Sequence, residues 1–310
     1  MTQFAFVFPG QGSQTLGMLD AFADNAAVRA TVAEASDVLG LDLAQLISYG
    51  PKETLDLTVN TQPVMLTADV AFYRAWLAAG GKPPAVVAGH SLGEYAALVA
   101  CGALAFRDAL PLVRFRAEAM QRAVPMGEGG MAAILGLADQ DVRSVCSQAA
   151  SGQVVEAVNY NAPLQVVIAG HTGAVERACA LALEKGAKRA LPLAVSAPFH
   201  SSLLLPAAQQ LRTYLAQVPC MRPEIFLVNN VDVAVCADEA GIRDALSRQA
   251  AAPVRWVETI EDFARRGITH VIECGPGKVL TGLTKRIDPA LTGESLATPA
   301  ALEKIMELLQ

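Results

Sequence analysis

Gly89-His90-Ser91-Leu92-Gly93 sets a serine between glycines. It directly follows the apolar run Ala85-Val86-Val87-Ala88 and precedes the helix-forming stretch Glu94-Tyr95-Ala96-Ala97-Leu98-Val99-Ala100. Strand, sharp turn, serine, helix is the setting in which a hydroxyl is presented as a nucleophile. The glycines leave room for the strained backbone of such a turn. The free N–H groups of the following helix then point at whatever the oxygen attacks. The bland alternative is a glycine-bracketed βα turn with an idle serine. Partners for the hydroxyl decide between the two, because an unassisted serine is a poor nucleophile.

The chain has four histidines. His90 adjoins Ser91 in the sharp turn, so its side chain should diverge from the hydroxyl. His171 opens a helical segment and reads as a surface residue. His270 lies in Ile268-Thr269-His270-Val271-Ile272, where a satisfied core or edge histidine is expected. His200 lies in Ser196-Ala197-Pro198-Phe199-His200-Ser201, a loop after a strand at the junction of two structural units. A general base belongs in such a place, and elimination selects His200. No acid between Ser91 and His200 has the setting of a triad carboxylate; Asp139, Asp141, Glu176 and Glu184 read as ordinary helix charges. A Ser–His dyad is therefore expected, with the imidazole oriented by a backbone carbonyl or an amide.

An attacked carbonyl also needs donors for its oxyanion. One is the residue after the nucleophile, here Leu92. The other comes from a different βα loop, and Gln11 in Gly10-Gln11-Gly12-Ser13-Gln14 is a candidate. That loop is not a dinucleotide fingerprint, since position 15 holds Thr15 rather than glycine. Gly275-Pro276-Gly277-Lys278 lacks the spacing of a phosphate loop and reads as a tight turn into a helix. In the helical stretch 107–122, Ala109, Leu112, Val113, Arg116 and Met120 share a face, while Arg114, Glu118 and Arg122 share another. Arg116 is thus a cation on an apolar face and must meet an anion. That anion is either an internal Asp or Glu or the carboxylate of a substrate, and helix geometry leaves both open.

These residues need a scaffold. Phe4–Phe8 reads as a first strand, with helical patterns to about Ile47. A long helix is expected over Val64–Ala79, just after Pro63, then a strand at 85–88 and helices at 92–101 and 107–122. Alternating β and α with short apolar strands predicts a parallel sheet covered on both faces. The middle of the chain changes rhythm. Strands at 131–135, 154–158, 165–169 and 190–195, with helices at 139–150 and 172–185, run β-α-β-β-α-β, the ferredoxin-like order. Later come a helix at 203–217 and strands at 225–229 and 270–274. The expectation is an α/β fold. Its α/β-hydrolase-like parallel-sheet core is built from 1–125 and 197–310, and its inserted ferredoxin-like small domain is 126–196. The two junctions would frame a cleft beside Ser91.

Composition narrows the field. The chain has 310 residues, 53% hydrophobic and 17% charged, so it can bury a large core. Net charge is −6 without a basic block, which disfavours nucleic acid. The start lacks the basic region of a secretory signal, and Ala96–Phe106 is too short to span a bilayer, so a soluble cytoplasmic protein is expected. Six cysteines without a C-x-x-C pair read as buried reduced thiols rather than a disulfide framework or a zinc site.

Phe8-Pro9-Gly10-Gln11-Gly12-Ser13-Gln14, Thr61-Gln62-Pro63, Gly89-His90-Ser91-Leu92-Gly93-Glu94-Tyr95 and the Arg116 helix form one ordered set of segments. Asn159-Tyr160-Asn161, Ala197-Pro198-Phe199-His200-Ser201, Val228-Asn229-Asn230, Arg248-Gln249 and Gly275-Pro276-Gly277-Lys278-Val279-Leu280 continue it. Nearly end to end, the chain resembles the malonyl-CoA:acyl carrier protein transacylases of bacterial fatty acid synthesis. The resemblance implies the same two-part fold, with Ser91 as acyl-accepting nucleophile and His200 as its base. It implies Gln11 and Leu92 as oxyanion donors, Arg116 as the ligand of the malonyl carboxylate, and the backbone carbonyl of Gln249 as the group that orients His200. Leu92 and Phe199 match the malonyl-selecting pattern, and Met120 and Asn159 join Phe199 as substrate contacts. Malonyl-CoA and a phosphopantetheinylated acyl carrier protein would be the partners, with a coenzyme A thioester as substrate, no bound cofactor and no membrane. Carrier proteins of this pathway are acidic, so Lys185, Lys188, Arg189, Lys278, Lys285 and Arg286 are candidates for a docking patch. An acyltransferase serving a polyketide synthase or a malonate decarboxylase shares this chemistry, and a serine thioesterase shares the elbow.

Overall fold

The computed structural model describes residues 3–309. Met1 and Thr2, part of the segment read for a secretory signal, and Gln310, the last residue of the expected core, lie outside the described residues. Strand β1 (Phe4–Phe8) is buried at every position. That explains its unbroken apolar run, since a parallel strand covered on both faces needs no alternation. Helices α1 (Ala26–Leu39), α2 (Leu43–Tyr49), α3 (Lys52–Leu55) and α4 (Thr58–Ala78) follow, then β2 (Val86–Gly89), α5 (Gly93–Ala100) and α6 (Phe106–Ala123). The middle of the chain forms β3 (Gly129–Leu135), α7 (Asp139–Ala149), β4 (Val155–Ala162), β5 (Gln165–His171), α8 (Thr172–Glu184) and β6 (Arg189–Pro192). The remainder forms α9 (Leu205–Leu215), β7 (Phe226–Leu227), α10 (Glu239–Gln249), α11 (Trp256–Arg265), β8 (His270–Glu273), α12 (Val279–Ile287), β9 (Thr292–Ser295) and α13 (Pro299–Leu308).

Two sheets result. Five strands pair in the order β7-β2-β1-β8-β9, all parallel. Four pair antiparallel in the order β4-β5-β3-β6, with α7 and α8 as the intervening helices. The fold is therefore α/β, a parallel-sheet core with a separate β-α-β-β-α-β unit, as the strand rhythm predicted. Register sets Phe8 beside Gly89, so the turn carrying Ser91 leaves the carboxyl end of the central strands, where open parallel sheets hold their ligands. The β4–β5 ladder shifts register between Ala157 and Asn159 and again between Tyr160 and Ala162. Beyond the first irregularity Asn159 stays paired with Val167 of β5 and also bridges Val254 of the other unit.

Several boundaries differ from expectation. The long helix begins at Thr58, not after Pro63, and holds Pro63 within it. Side chains secure its first turn to the residues before it. Asn60 Nδ2 donates to the Thr54 carbonyl at 2.8 Å and Thr61 Oγ1 to that of Leu55 at 2.6 Å. The helix is buried nearly all round, so it lacks the amphipathic stripe that marks a start. The expected strand at 225–229 is shortened to Phe226–Leu227: the Val228 N–H still donates to the Val87 carbonyl, but Val228 bridges Val235 and Asn229 turns back to bond Ala234. The expected 190–195 strand runs instead over Arg189–Pro192, with one further bond from the Leu193 N–H to the Met131 carbonyl at 2.9 Å; Pro192 is tolerated there because β6 is an edge strand. All six cysteines are free, four buried and two half-buried. Among the described residues no helix is long and apolar enough to cross a membrane.

One buried pair runs against the packing rules. Asp69 of α4 and Glu273 of β8 are fully buried, and neither oxygen of Asp69 nor Oε1 of Glu273 has a partner among the described residues. Burial raises the Asp69 pKa well above the carboxylate range, and the Glu273 charge raises it further. A carboxyl with a raised folded pKa stabilises the fold below its unfolded pKa, and that stability is lost as pH rises through the folded value. Asp69→Asn should therefore raise Tm at pH 8 by about 2–4 °C and by distinctly less at pH 4.5, just above the unfolded carboxyl pKa of about 3.9. Thermal melts across that range check this, and an equal shift at both pH values contradicts it.

Candidate active site

Ser91 has φ +53°, a left-handed backbone that a serine holds only when its surroundings impose it. Here backbones in close approach impose it. A Cβ on Gly93 would lie 2.0 Å from the Phe8 carbonyl oxygen, and one on Gly89 would lie 1.9 Å from the Gly93 backbone. Neither glycine can be replaced without moving strand against helix. Asn230, just beyond β7, clamps the turn: its Oδ1 accepts from the Ser91 N–H at 2.7 Å and its Nδ2 donates to the Gly89 carbonyl at 2.6 Å.

Ser91 Oγ lies 2.7 Å from His200 Nε2. His200 Nδ1 faces the carbonyls of Gln249 at 2.9 Å and Ala252 at 3.2 Å. Carbonyls only accept, so Nδ1 carries the proton and Nε2 is left to accept from the serine hydroxyl. Burial, together with the nearby Arg116 charge, pushes the His200 pKa down to about 3. The imidazole is therefore neutral at neutral pH. The other histidines stay out of reach: His90 Nε2 donates to Asn161 Oδ1 at 2.8 Å, His171 Nδ1 accepts from the Val154 N–H at 3.0 Å, and His270 pairs with Thr269.

Arg116 is buried on the apolar face of α6, as its spacing required. Arg114 and Arg122 pair with Glu118 on the opposite face. Among the described residues Arg116 has no ion pair. Its Nη1 donates to Gln62 Oε1 at 2.8 Å, and its Nη2 to Gln249 Oε1 at 2.9 Å and to Ser91 Oγ at 3.2 Å, while Nε has no partner. Glu94 acts on Arg116 without bonding it: its Oε2 accepts from the Asn230 N–H at 3.0 Å and from Gln249 Nε2 at 3.0 Å. Burial pushes the Glu94 pKa up to about 7, against the pull of those hydrogen bonds and of Arg116. The cation thus faces the serine with only uncharged partners bound to it, two amides, the Ser91 hydroxyl and the Tyr95 ring 5.5 Å away.

The pocket at Ser91 has a volume of about 110 Å³ and is lined by Gln11, Gln62, His90, Leu92, Arg116, Met131, Asn159, Leu193, Val195, Phe199 and His200. Among the described residues the N–H groups of Gln11 and Leu92 have no acceptor. Asn159 Oδ1 is buried without a partner. Met120 does not line this pocket. It sits behind Gln62, with Sδ 3.9 Å from the amide nitrogen, because its helical turn points into the core. Gln62, Glu94 and Asn230 build the site although residue chemistry alone assigned them no role. A lone carboxylate in the wholly apolar α5 was the visible sign for Glu94. The six basic candidates for docking are all exposed, and Arg286 reaches Gln165 on the β4–β5 hairpin.

Comparison with known proteins agrees with this geometry. Residues 5–288 match the acyl transferase domain family. The malonyl CoA-acyl carrier protein transacylase of Escherichia coli K12 is 55% identical over 99% of this chain and all of its own length. The crystal structure of the acyl-carrier-protein S-malonyltransferase from Burkholderia pseudomallei superposes with a TM-score of 0.97 at 67% identity, covering 99% of this chain and 100% of that one. A malonyl-transacylase in complex with its type II PKS acyl-carrier protein superposes with a TM-score of 0.98 at 49% identity, covering 99% and 100%. Its family match, its identity along the whole length and its superposed fold place this chain among the malonyl CoA-acyl carrier protein transacylases.

Proposed function

We propose that this acyltransferase moves the malonyl group of malonyl-CoA to the phosphopantetheine thiol of acyl carrier protein through a malonyl ester on Ser91. The observation that carries the substrate is Arg116, a buried guanidinium beside the nucleophile with amides but no carboxylate as partners. An uncompensated buried cation is costly, and the free carboxylate of a malonyl group supplies the missing anion bidentately.

The steps follow from the atoms. His200 Nε2 takes the proton of Ser91 Oγ as the oxygen attacks the thioester carbonyl, and the N–H groups of Gln11 and Leu92 receive the oxyanion. The tetrahedral intermediate collapses, the C–S bond breaks, and the imidazolium returns its proton to the departing thiolate of coenzyme A. The carrier thiol then reverses the sequence on the ester, its proton passing to His200 and back to Ser91 Oγ. This is ping-pong transfer. No step draws on a bound cofactor; the coenzyme A thioester is the substrate. Gln249 orients His200 through its backbone carbonyl, and Phe199 and Asn159 shape the acyl pocket. Met120 acts only through Gln62. The cleft lies between the parallel-sheet core, of which 3–125 and 197–309 are described, and the inserted unit 126–196. The exposed basic residues suit an acidic carrier, and the product feeds chain elongation in the cytoplasm. The carrier of a polyketide synthase fits the same chemistry, as the type II PKS relative does with its own.

Intact-protein mass spectrometry after brief exposure to malonyl-CoA should show a malonyl adduct that Ser91→Ala lacks and that holo carrier protein discharges. An adduct lost to water without carrier would indicate a thioesterase instead. Arg116→Ala should lower kcat/KM for malonyl-CoA about ten- to a hundred-fold, the loss of a charge-assisted pair, with a smaller effect on acetyl-CoA. Unchanged malonyl preference would remove Arg116 from the acyl site. Because the folded His200 pKa is depressed, the base stays available as pH falls. The His200 imidazole should therefore impose no loss of Ser91 acylation between pH 8 and about pH 5; Glu94, at about 7, titrates in that window, so a halving near 6.5 that persists in Glu94→Gln would indicate an ordinary imidazole.

A further inference from the structure

His200 itself has φ +67°, a strained conformation for a non-glycine residue. Something must hold the loop that carries it. Within the loop the contacts are local, Phe199 N–H to the Ala197 carbonyl at 3.0 Å and Ser201 N–H and Oγ to the Pro198 carbonyl at 3.3 and 2.8 Å, and at its N-terminal end Gln121 Nε2 donates to the Ser196 carbonyl at 3.2 Å. On its C-terminal side the loop is fastened to another unit. The Ser202 N–H donates to Glu156 Oε2 at 2.7 Å and Ser202 Oγ to Glu156 Oε1 at 2.8 Å. Ser202 opens the short turn Ser202–Leu204 that runs into α9. Glu156 therefore caps that helical start from across the cleft, filling the role a local capping side chain would fill.

Glu156 is well placed to hold something still. It lies on β4, paired with Ala169 inside the antiparallel ladder. Both of its oxygens are committed to Ser202, and among the described residues it makes no ion pair. Its side chain lines a groove of about 460 Å³ that reaches His200 and is shared with Ser202, Arg143, Cys146 and Tyr160. The same sheet contributes Met131 and Asn159 to the acyl pocket.

We propose that Glu156 is a positioning residue: through Ser202 it holds the His200 loop in the conformation that aims Nε2 at Ser91, tying the base to the sheet that shapes the acyl pocket. This rests on the reading of His200 as the base. Rapid-mixing acylation of Ser91 by malonyl-CoA, over pH 5–9, tests it in Glu156→Ala, Glu156→Gln, Ser202→Ala, the double variant Glu156→Ala/Ser202→Ala and His200→Ala. Glu156→Ala should slow acylation about ten-fold with KM within two-fold of the parent. Glu156→Gln should recover most of the rate, since its amide can accept from the Ser202 N–H and donate to Oγ. Ser202→Ala should be intermediate, and the double variant no slower than Glu156→Ala alone. If Glu156→Ala proves unstable, the Gln variant and Ser202→Ala decide the matter. Full-rate acylation in Glu156→Ala or Ser202→Ala overturns the proposal, as does a Gln variant as slow as Ala, which would trace the effect to charge. Full-rate acylation in His200→Ala would instead overturn the base assignment.

Discussion

Gln249 is the point on which the site turns. Its backbone carbonyl accepts from His200 Nδ1, its Oε1 accepts from Arg116, and its Nε2 donates to the Ser91 carbonyl and to Glu94. Ser91, His200 and Arg116 are thus all bonded to one residue at the end of α10. Because the side chain is fully buried, water cannot replace any partner that is lost. The amide also suits the substrate. A carboxylate in its place would neutralise Arg116 and leave the guanidinium with no need of an outside anion. The glutamine supplies hydrogen bonds without supplying charge, and Gln62 does the same on the other side of the guanidinium.

Glu94 completes the balance at one remove. It carries the only carboxylate of α5 and receives bonds from Asn230 and Gln249 rather than from Arg116. It therefore moderates the field of the cation without satisfying it. Asn230 links this carboxylate to the strained serine turn, so the elbow and the charge pocket share one hydrogen-bonded frame.

Much of this was legible in the sequence because it is local. The elbow needs glycines on both sides of Ser91 and a strand before it, all within about ten residues of chain. The face of α6 follows from helical spacing, and the inserted unit from a change in strand rhythm. His200 emerged because the chain has few histidines and only one on a junction loop. The contacts that tune these residues are long-range. Gln249 bonds Arg116 and Ser91 across 133 and 158 positions, and Gln62 bonds Arg116 across 54. No periodicity records such partners. The start of α4 was missed because proline signals a boundary in general, whereas here Asn60 and Thr61 bind the preceding turn. Met120 illustrates the converse: a shared helical face identified its burial but could not say whether it met the pocket or the core.

The six free cysteines bear on an enzyme whose currency is the thioester. An activated acyl group held on an ester can pass to any accessible thiolate, including one of the protein's own. Burial raises the thiols of Cys101 and Cys146 to about 12 and that of Cys236 to about 11, and lifts Cys179, Cys220 and Cys274 as well. At neutral pH the chain thus presents scarcely any thiolate of its own, since the thiolate is the nucleophilic form. Burial leaves the chain's own sulfur a poor acceptor beside the thiol that a partner brings in.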